Sequence, residues 1–284
     1  MFLFLLKLIA KLPLPWLHGI GRCLGVLVYL FPGRYRNRLR ANAAQAGYDS
    51  PAFARQAAAE TGAMILETPK VWLDTPTCLH KCISTDEHVV TQALAEGKGV
   101  LYLTPHLGCF EITARILVKH GPITVMFRPP RQAFIEPAMR ESRNMPGLNA
   151  VPASVRGIRE FLRALKRGEA VGMLPDQVPS SGDGMWAPFF GRAAYTMTLA
   201  AKLALQTNVP VVLTAGERLP KGQGWRIHYL RLHLPEPATL ESMVYAINNA
   251  METLIQRFPA QYLWSYNRYK IPPEAPAIPS SLQR

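Results

Sequence analysis

Two residues in the stretch "GVLYLTPHLGCFEI", 99–112, have the right chemistry for acid–base work: His106 and, five positions on, Glu111. An imidazole that is neutral near pH 7 is an effective general base. A carboxylate on its other ring nitrogen fixes the tautomer and stabilises the imidazolium as it forms. In one continuous helix, residues five apart point roughly 140° away from each other. The pair therefore meets only if His106 lies in a loop and Glu111 in the first turns of the next helix. Pro105 ends the preceding apolar run and Gly108 permits a tight turn, which supports that geometry. The same spacing also suits a packed histidine near a helix N-terminal glutamate, and spacing alone does not separate the two.

The chain has no G-x-S-x-G elbow and no S-x-x-K, and His106 is not part of H-E-x-x-H. Without a protein nucleophile, the base most simply activates a hydroxyl on a substrate.

The elements that must hold this pair follow from periodicity. Apolar runs at 99–104, 123–127, 149–152, 170–174, 209–215 and 225–233 read as strands. Helical patterns occupy 51–73, 86–97, 110–120, 132–144, 155–167, 196–207 and 239–257. This alternation predicts an α/β fold with a mostly parallel central sheet covered by helices. Sites in such sheets gather at the carboxyl ends of strands, where His106 falls. Two segments break the rhythm: 128–131 and the long 175–195, which reads as a loop of functional length.

Other strand-end residues join the candidates. Arg128, before two prolines, suits phosphate recognition, since a guanidinium fork matches phosphate oxygens; a solvated surface arginine is the plainer reading. Asp176 and Gln177 follow the run "AVGML" and suit holding a basic site residue or a substrate hydroxyl; Asp176 equally suits a turn cap. Pro188-Phe189-Phe190-Gly191 suits either an acyl-channel wall or a core plug. Arg140 and Arg143, and the basic run from Arg156 to Arg167, suit an acidic carrier or lipid phosphates, although most read as solvated helix face. The aromatic segment 261–270, with Arg268 and Lys270, suits a membrane–water interface, but reads more simply as an edge strand packing on the sheet. His18, His80, His88, His120, His228 and His233 have no motif partner and read as structural.

The chain of 284 residues suffices for one large α/β domain or two small ones. Hydrophobic residues make up 49% and charged residues 18%, and the net charge is +13. The apolar balance makes membrane contact plausible. The basic surplus points to anionic partners such as phospholipid headgroups, phosphorylated substrates or an acidic carrier protein. Nucleic acid is disfavoured: zinc-finger spacing, an RNP-like strand and a long Lys-rich tail are all missing. The four cysteines show no disulfide framework, which fits a reducing compartment. Cys78-Leu-His80-Lys-Cys82 lacks zinc-knuckle spacing and a second half, so no metal site is expected.

The N-terminus, "MFLFLLKLIAKLPLPWLHGIGRCLGVLVYLFPGRYRNRLR", lacks the pattern of a cleaved signal. Lys7, Lys11, Pro13, Pro15, His18 and Arg22 interrupt any 20-residue apolar run. Apolar helices followed by Arg34, Arg36, Arg38 and Arg40 predict an anchor at the membrane interface on its cytoplasmic face. A buried helical hairpin, or a short Pro-broken span, are the alternatives. The expected organisation is a 1–40 anchor, a 41–272 α/β domain and a 273–284 extended Pro-rich tail.

Several segments together carry a family resemblance: "LPLPWLHGIGRCLG", "GKGVLYLTPHLGCFEI", "VMFRPPRQ", "GIREFLRALKRGEAVGMLPDQ", "PFFGRAAYTMT" and "QYLWSYNRYK". Over roughly residues 12–272 the chain resembles the bacterial lipid A biosynthesis (late) acyltransferases, within the H-x4-D/E glycerolipid acyltransferases. The resemblance implies transfer of a fatty acyl chain from acyl carrier protein, or from acyl-CoA, to a lipid hydroxyl, with no cofactor. It implies His106 as general base, Glu111 as its partner, Gly108 in the substrate-binding turn and Arg128 at the family's basic position. It further implies a bacterial inner-membrane location. Many members carry Asn where this chain has Cys109, a poor hydrogen-bond donor. A lysophospholipid, an ornithine-type lipid or another glycolipid are alternative acceptors. A hydrolase, or a non-catalytic lipid- or carrier-binding protein, would share much of this pattern. The backbone amides near 107–109, or a nearby arginine, are expected to stabilise the oxyanion.

Overall fold

The computed structural model describes residues 2–127, 133–143, 145–180 and 182–283. The chain begins with α1 (Phe2–Lys11), α2 (Leu14–Leu30), α3 (Arg34–Gln45), α4 (Pro51–Leu73) and α5 (Thr75–Leu79). Strands and helices then alternate: β1 (Cys82–Ser84), α6 (Glu87–Ala95), β2 (Val100–Leu103), α7 (Phe110–Leu117), β3 (Ile123–Phe127), α8 (Glu136–Ser142), β4 (Leu148–Pro152), α9 (Val155–Lys166) and β5 (Ala170–Met173). A hairpin of β6 (Gly184–Phe189) and β7 (Arg192–Met197) follows, then α10 (Leu199–Thr207), β8 (Val211–Arg218), β9 (Trp225–Arg231) and α11 (Leu240–Arg257).

Seven strands form the central sheet in the order β1-β9-β8-β2-β5-β3-β4. Every pairing is parallel except β8 with β9. The expected α/β fold is thus what forms. Its central strands β2 and β5 are buried along their whole length, as their uninterrupted apolar sequences require. One core lies between the sheet and the layer of α9, α10 and α11. A second lies between the sheet and α4, α6 and α7.

The segment 175–195 is not one long loop. Half of it is the β6–β7 hairpin, turned by Phe190 and Gly191, both at positive φ. Phe189 and Phe190 are buried in the first core and so act as a plug. The helix expected over 132–144 is shorter, a 3-10 turn followed by α8. The segment 261–270 is not an edge strand. It folds as a chain of turns against the central strand ends, leaving one isolated bridge, Leu107 to Tyr262.

The N-terminal helices bend sharply, with 118° between α1 and α2. No single described helix is long and apolar enough to cross a membrane. Helix α2 packs on α4 through small residues: a Cβ on Gly25 would lie 2.1 Å from the Ala58 carbonyl oxygen, and one on Gly62 would lie 2.0 Å from that of Gly21. Leu14, Leu17, His18, Gly21, Gly25 and Tyr29 face inward, at helical spacing. The outward face carries Trp16, Ile20, Leu24, Leu27 and Val28, so this helix also presents bulky apolar side chains to its exposed side.

Beneath α2 lies a buried ionic cluster. His18 Nε2 is 2.8 Å from Glu67. Glu67 and Glu60 both accept from Arg218 at 2.7 Å, and Trp225 Nε1 donates to Glu67 at 3.0 Å. Burial opposes the charge on Glu67, but Arg218 and His18 outweigh it and hold its pKa at about 2. His18 is therefore structural, as expected, although it has a buried partner that its sequence neighbourhood does not reveal.

Candidate active site

Strand β2 delivers His106 to the site. The strand ends at Leu103, and Thr104 still bonds to Met173, its N–H donating to the Met173 carbonyl at 3.0 Å. Pro105 then stops the ladder, since it has no N–H to offer. The next turn depends on Gly108, which has φ +59 and passes so close to β8 that a Cβ there would lie 2.1 Å from the Gly216 carbonyl oxygen. Gly108 is thus a site residue because of backbone approach, and no substrate contact need be invoked for it.

The carboxylate on His106 is that of Asp176, not Glu111. Asp176 Oδ1 lies 2.8 Å from His106 Nδ1, and its Oδ2 accepts the His106 backbone N–H at 2.8 Å. An ionised carboxylate can only accept, so Nδ1 carries the proton and Nε2 presents its lone pair. Gln177 places its amide nitrogen 3.1 Å from that Nε2. Burial disfavours the charge on Asp176, yet the His106 ring, the two hydrogen bonds from His106 and the nearby Arg268 together hold its pKa below the usual aspartate range.

Glu111 sits in the first turn of α7 as expected, but there its neighbour is one helical turn ahead. Arg115 Nη1 donates to Glu111 Oε2 at 3.0 Å and also to the Glu111 carbonyl, while Nη2 donates to the Ser142 carbonyl at 3.1 Å. The i,i+4 geometry of α7 favours this pairing over one with a residue in the preceding loop. Phe110, between the two, packs its ring 4.7 Å from that of His106.

The amides expected to stabilise an oxyanion are already used. The Leu107 N–H donates to Pro105 O (2.7 Å), that of Gly108 to Gln261 O (3.0 Å) and that of Cys109 to Gly216 O (2.8 Å). Cys109 is itself buried, and desolvation pushes its thiol pKa well up. It is therefore a protonated, packed side chain and not a nucleophile. Cys78 and Cys82 are likewise held up at about 12 by burial.

The segment 261–268 supports the pair in a way that spacing did not reveal. Leu263 N–H donates to the His106 carbonyl at 3.0 Å, and Gln261 holds both the Gly108 amide and, through its side chain, the backbone of Arg218. Tyr262 is buried near Asp176, and burial, then the Asp176 charge, pushes its hydroxyl pKa well above the usual tyrosine range. Arg268 is buried beneath, donating to the Tyr195 carbonyl and to Thr196 Oγ1. A signal for Asp176 was present: "LTPH" and "MLPD" both end an apolar strand with x-Pro and then a polar residue.

Beside the pair, a cavity of about 100 Å³ runs between the sheet and α7. Phe110, Glu111 and Leu174 line it near His106; Leu117, Ile123 and Leu148 line it further in. Arg143, half-buried with its guanidinium 3.6 Å from the centre of the Phe127 ring, also borders it. Arg140 is exposed on α8 and makes no cavity contact, and Arg156, Arg159, Arg163, Lys166 and Arg167 are exposed on α9 or just beyond its end. Arg128 lies outside the described residues. Among the described residues no three His, Cys, Asp or Glu side chains cluster as metal ligands.

The chain is 26% identical over 220 positions to the lipid A biosynthesis palmitoleoyltransferase of Escherichia coli, covering 75% of this chain and 69% of that one. It is 24% identical over 289 positions to the E. coli lipid A biosynthesis lauroyltransferase, covering 97% and 91%. A Haemophilus influenzae lipid A biosynthesis acyltransferase matches at 28% over 184 positions, 63% of this chain and 55% of that one. The family model for bacterial lipid A biosynthesis acyltransferases matches residues 1–271, and the chain belongs to that family.

Proposed function

We propose that this protein transfers a fatty acyl chain from an acyl carrier protein thioester to a hydroxyl of a lipid A precursor, at the cytoplasmic face of a bacterial inner membrane. The observation that carries the reading is the His106 ring: Nδ1 is bonded to Asp176, Nε2 is presented to Gln177, and Phe110 links the ring to an apolar cavity. In the reaction the acceptor hydroxyl takes the place of the Gln177 amide at Nε2. His106 removes its proton while the oxygen attacks the thioester carbonyl carbon. Asp176 stabilises the imidazolium, as a buried carboxylate does in a catalytic triad. The tetrahedral intermediate then expels the carrier's sulfur, which takes the proton back from His106. With the amides of 107–109 occupied, stabilisation of the oxyanion falls to the positive N-terminal end of α7 and to the neighbouring arginines. The acyl tail enters the cavity. No cofactor beyond the thioester donor takes part.

The exposed apolar face of α1 and α2, with Phe4, Trp16, Leu27 and Phe31, supports a membrane-lying role, and the exposed Arg34 and Arg40 beside it suit anionic headgroups. The net charge of +13 favours an acidic carrier.

The test incubates full-length protein and its His106→Ala variant with labelled acyl carrier thioester and a lipid A precursor on anionic vesicles. Transfer by wild type alone supports the reading. Release of free fatty acid without transfer makes the protein a hydrolase. Donor binding without any product makes it a binding protein. Co-sedimentation of a Trp16→Glu, Leu27→Glu variant with the vesicles tests the anchor; binding equal to wild type would sink that part.

A further inference from the structure

The cavity beside His106 has a gap in its floor at one residue of the central sheet. On the face that meets α7, the paired strands set their residues in rows. Val100, Ala170 and Ile123 form one row. Tyr102, Gly172 and Val125 form the next, about 7 Å nearer the strand ends that carry His106 and Asp176. Gly172 is the position of that row without a side chain, and it lines the cavity.

Backbone geometry does not ask for a glycine there, since Gly172 is not at positive φ. A Cβ built on it would have as its nearest neighbours Val125 Cγ1 at 3.3 Å and Ile123 Cδ1 at 3.4 Å, then Ile123 Cγ1 at 4.0 Å. All three belong to side chains of β3 that line the same cavity, so the missing Cβ points into the space they border. No atom of Tyr102 or of α7 comes closer than these. Gly108 and Gly216 are different: there the added atom would strike backbone oxygens at 2.1 and 2.8 Å. A glycine inside a buried strand forfeits packing and chain entropy. Where no turn or backbone crossing requires it, it marks a place kept clear for something else.

The cleared space suits hydrocarbon, with Val125 beside Gly172 and Ile123, Leu117 and Leu148 further in. A straight apolar chain entering past Phe110 would run over Gly172 and end against those inner residues. At about 100 Å³ the cavity is small enough that one side chain added in its middle changes how far such a chain reaches.

We propose that Gly172 determines the length of acyl chain that the site accepts, by leaving the middle of the cavity open to the distal carbons. This rests on the reading of the cavity as the acyl site. A hydrophobic pocket distinguishes chains by about 10–200-fold for a methylene more or less, so a single residue suffices to set a preference.

The test measures kcat/KM for carrier thioesters of a graded series of saturated chain lengths. Gly172→Ala should lower it about tenfold for the donor that wild type uses best, and Gly172→Val about a hundredfold, while shorter donors stay within about threefold of wild type. The optimum thus moves to a shorter chain. Leu148→Ala, which removes bulk from the inner end, should move it to a longer one. The melting temperatures of the Gly172 variants should equal or exceed that of wild type, because the new atoms fill space and suit a strand. In folded Gly172 variants, an unmoved optimum or an equal loss at every length overturns the proposal and leaves acyl transfer standing. A Gly172→Ala chain that fails to fold also overturns it, since the glycine would then serve packing alone. An optimum that Leu148→Ala leaves in place does the same. No transfer by wild type from any donor overturns the acyl-transfer reading and this one with it.

Discussion

His106 and Asp176 are seventy residues apart and lie at the same level of the sheet. Strands β2 and β5 pair in parallel with that same offset, Val100 against Ala170 through to Leu103 against Met173. The register continues past the strand ends through Pro105 and Pro175, and it brings imidazole and carboxylate together in the crevice above the sheet. Kinetics separate this pair from one with Glu111. Asp176→Asn is expected to lower kcat by roughly 10³–10⁴-fold with KM little changed, because the amide no longer fixes the tautomer. Glu111→Gln should cost far less. A dead Glu111→Gln beside a near-normal Asp176→Asn would reverse the assignment.

Tyr262 acts through Asp176 and touches no reacting atom. Tyr262→Phe removes a buried hydroxyl near the carboxylate, worth about 1 kcal/mol, so kcat should fall about fivefold. Its pH–rate profile should shift, since the Asp176 charge loses a polar neighbour. An unchanged profile with a lowered Tm would make the residue merely structural.

Gly108→Ala tests the close crossing over β8. The new Cβ meets the Gly216 carbonyl in a backbone already at φ +59, for a cost of ~3 kcal/mol. The melting temperature should drop and activity should vanish with the displaced His106. A variant of normal Tm and activity would show that the crossing is loose.

The buried cluster under α2 sets an acid limit on stability. Glu67 titrates at about 2 in the folded chain, below its ordinary 4.5. Its contribution is full above pH 4.5 and is lost as the pH falls from there towards 2. Glu67→Gln leaves Arg218 and His18 underpaired and should cost about 3 kcal/mol at neutral pH. Its Tm should also depend less on pH below 4.5 than that of wild type; parallel acid limbs would contradict this.

Alkylation at pH 8 distinguishes the thiols. Cys23 is exposed and should be labelled in the folded protein, whereas Cys109 and Cys78 are buried and held protonated. Rapid native labelling of Cys109 with loss of activity would make it a candidate nucleophile.

The alternation of apolar strands and helical patterns is local, so the sequence alone specified the α/β class, the mostly parallel sheet and a histidine just past the end of β2. What spacing did not decide was which carboxylate reaches His106. Glu111 is near in sequence, but the helix it occupies pairs it with Arg115. Asp176 is distant in sequence, and only the adjacency of β2 and β5 makes it a neighbour. The turns of 261–268 carry the same lesson. Their aromatics match an edge strand locally, but the sheet edges are taken by β1 and β4, so the segment packs over the central strand ends and braces His106 and Asp176 there. Strand order and register arise from packing the whole chain at once, and no local window of residues contains them.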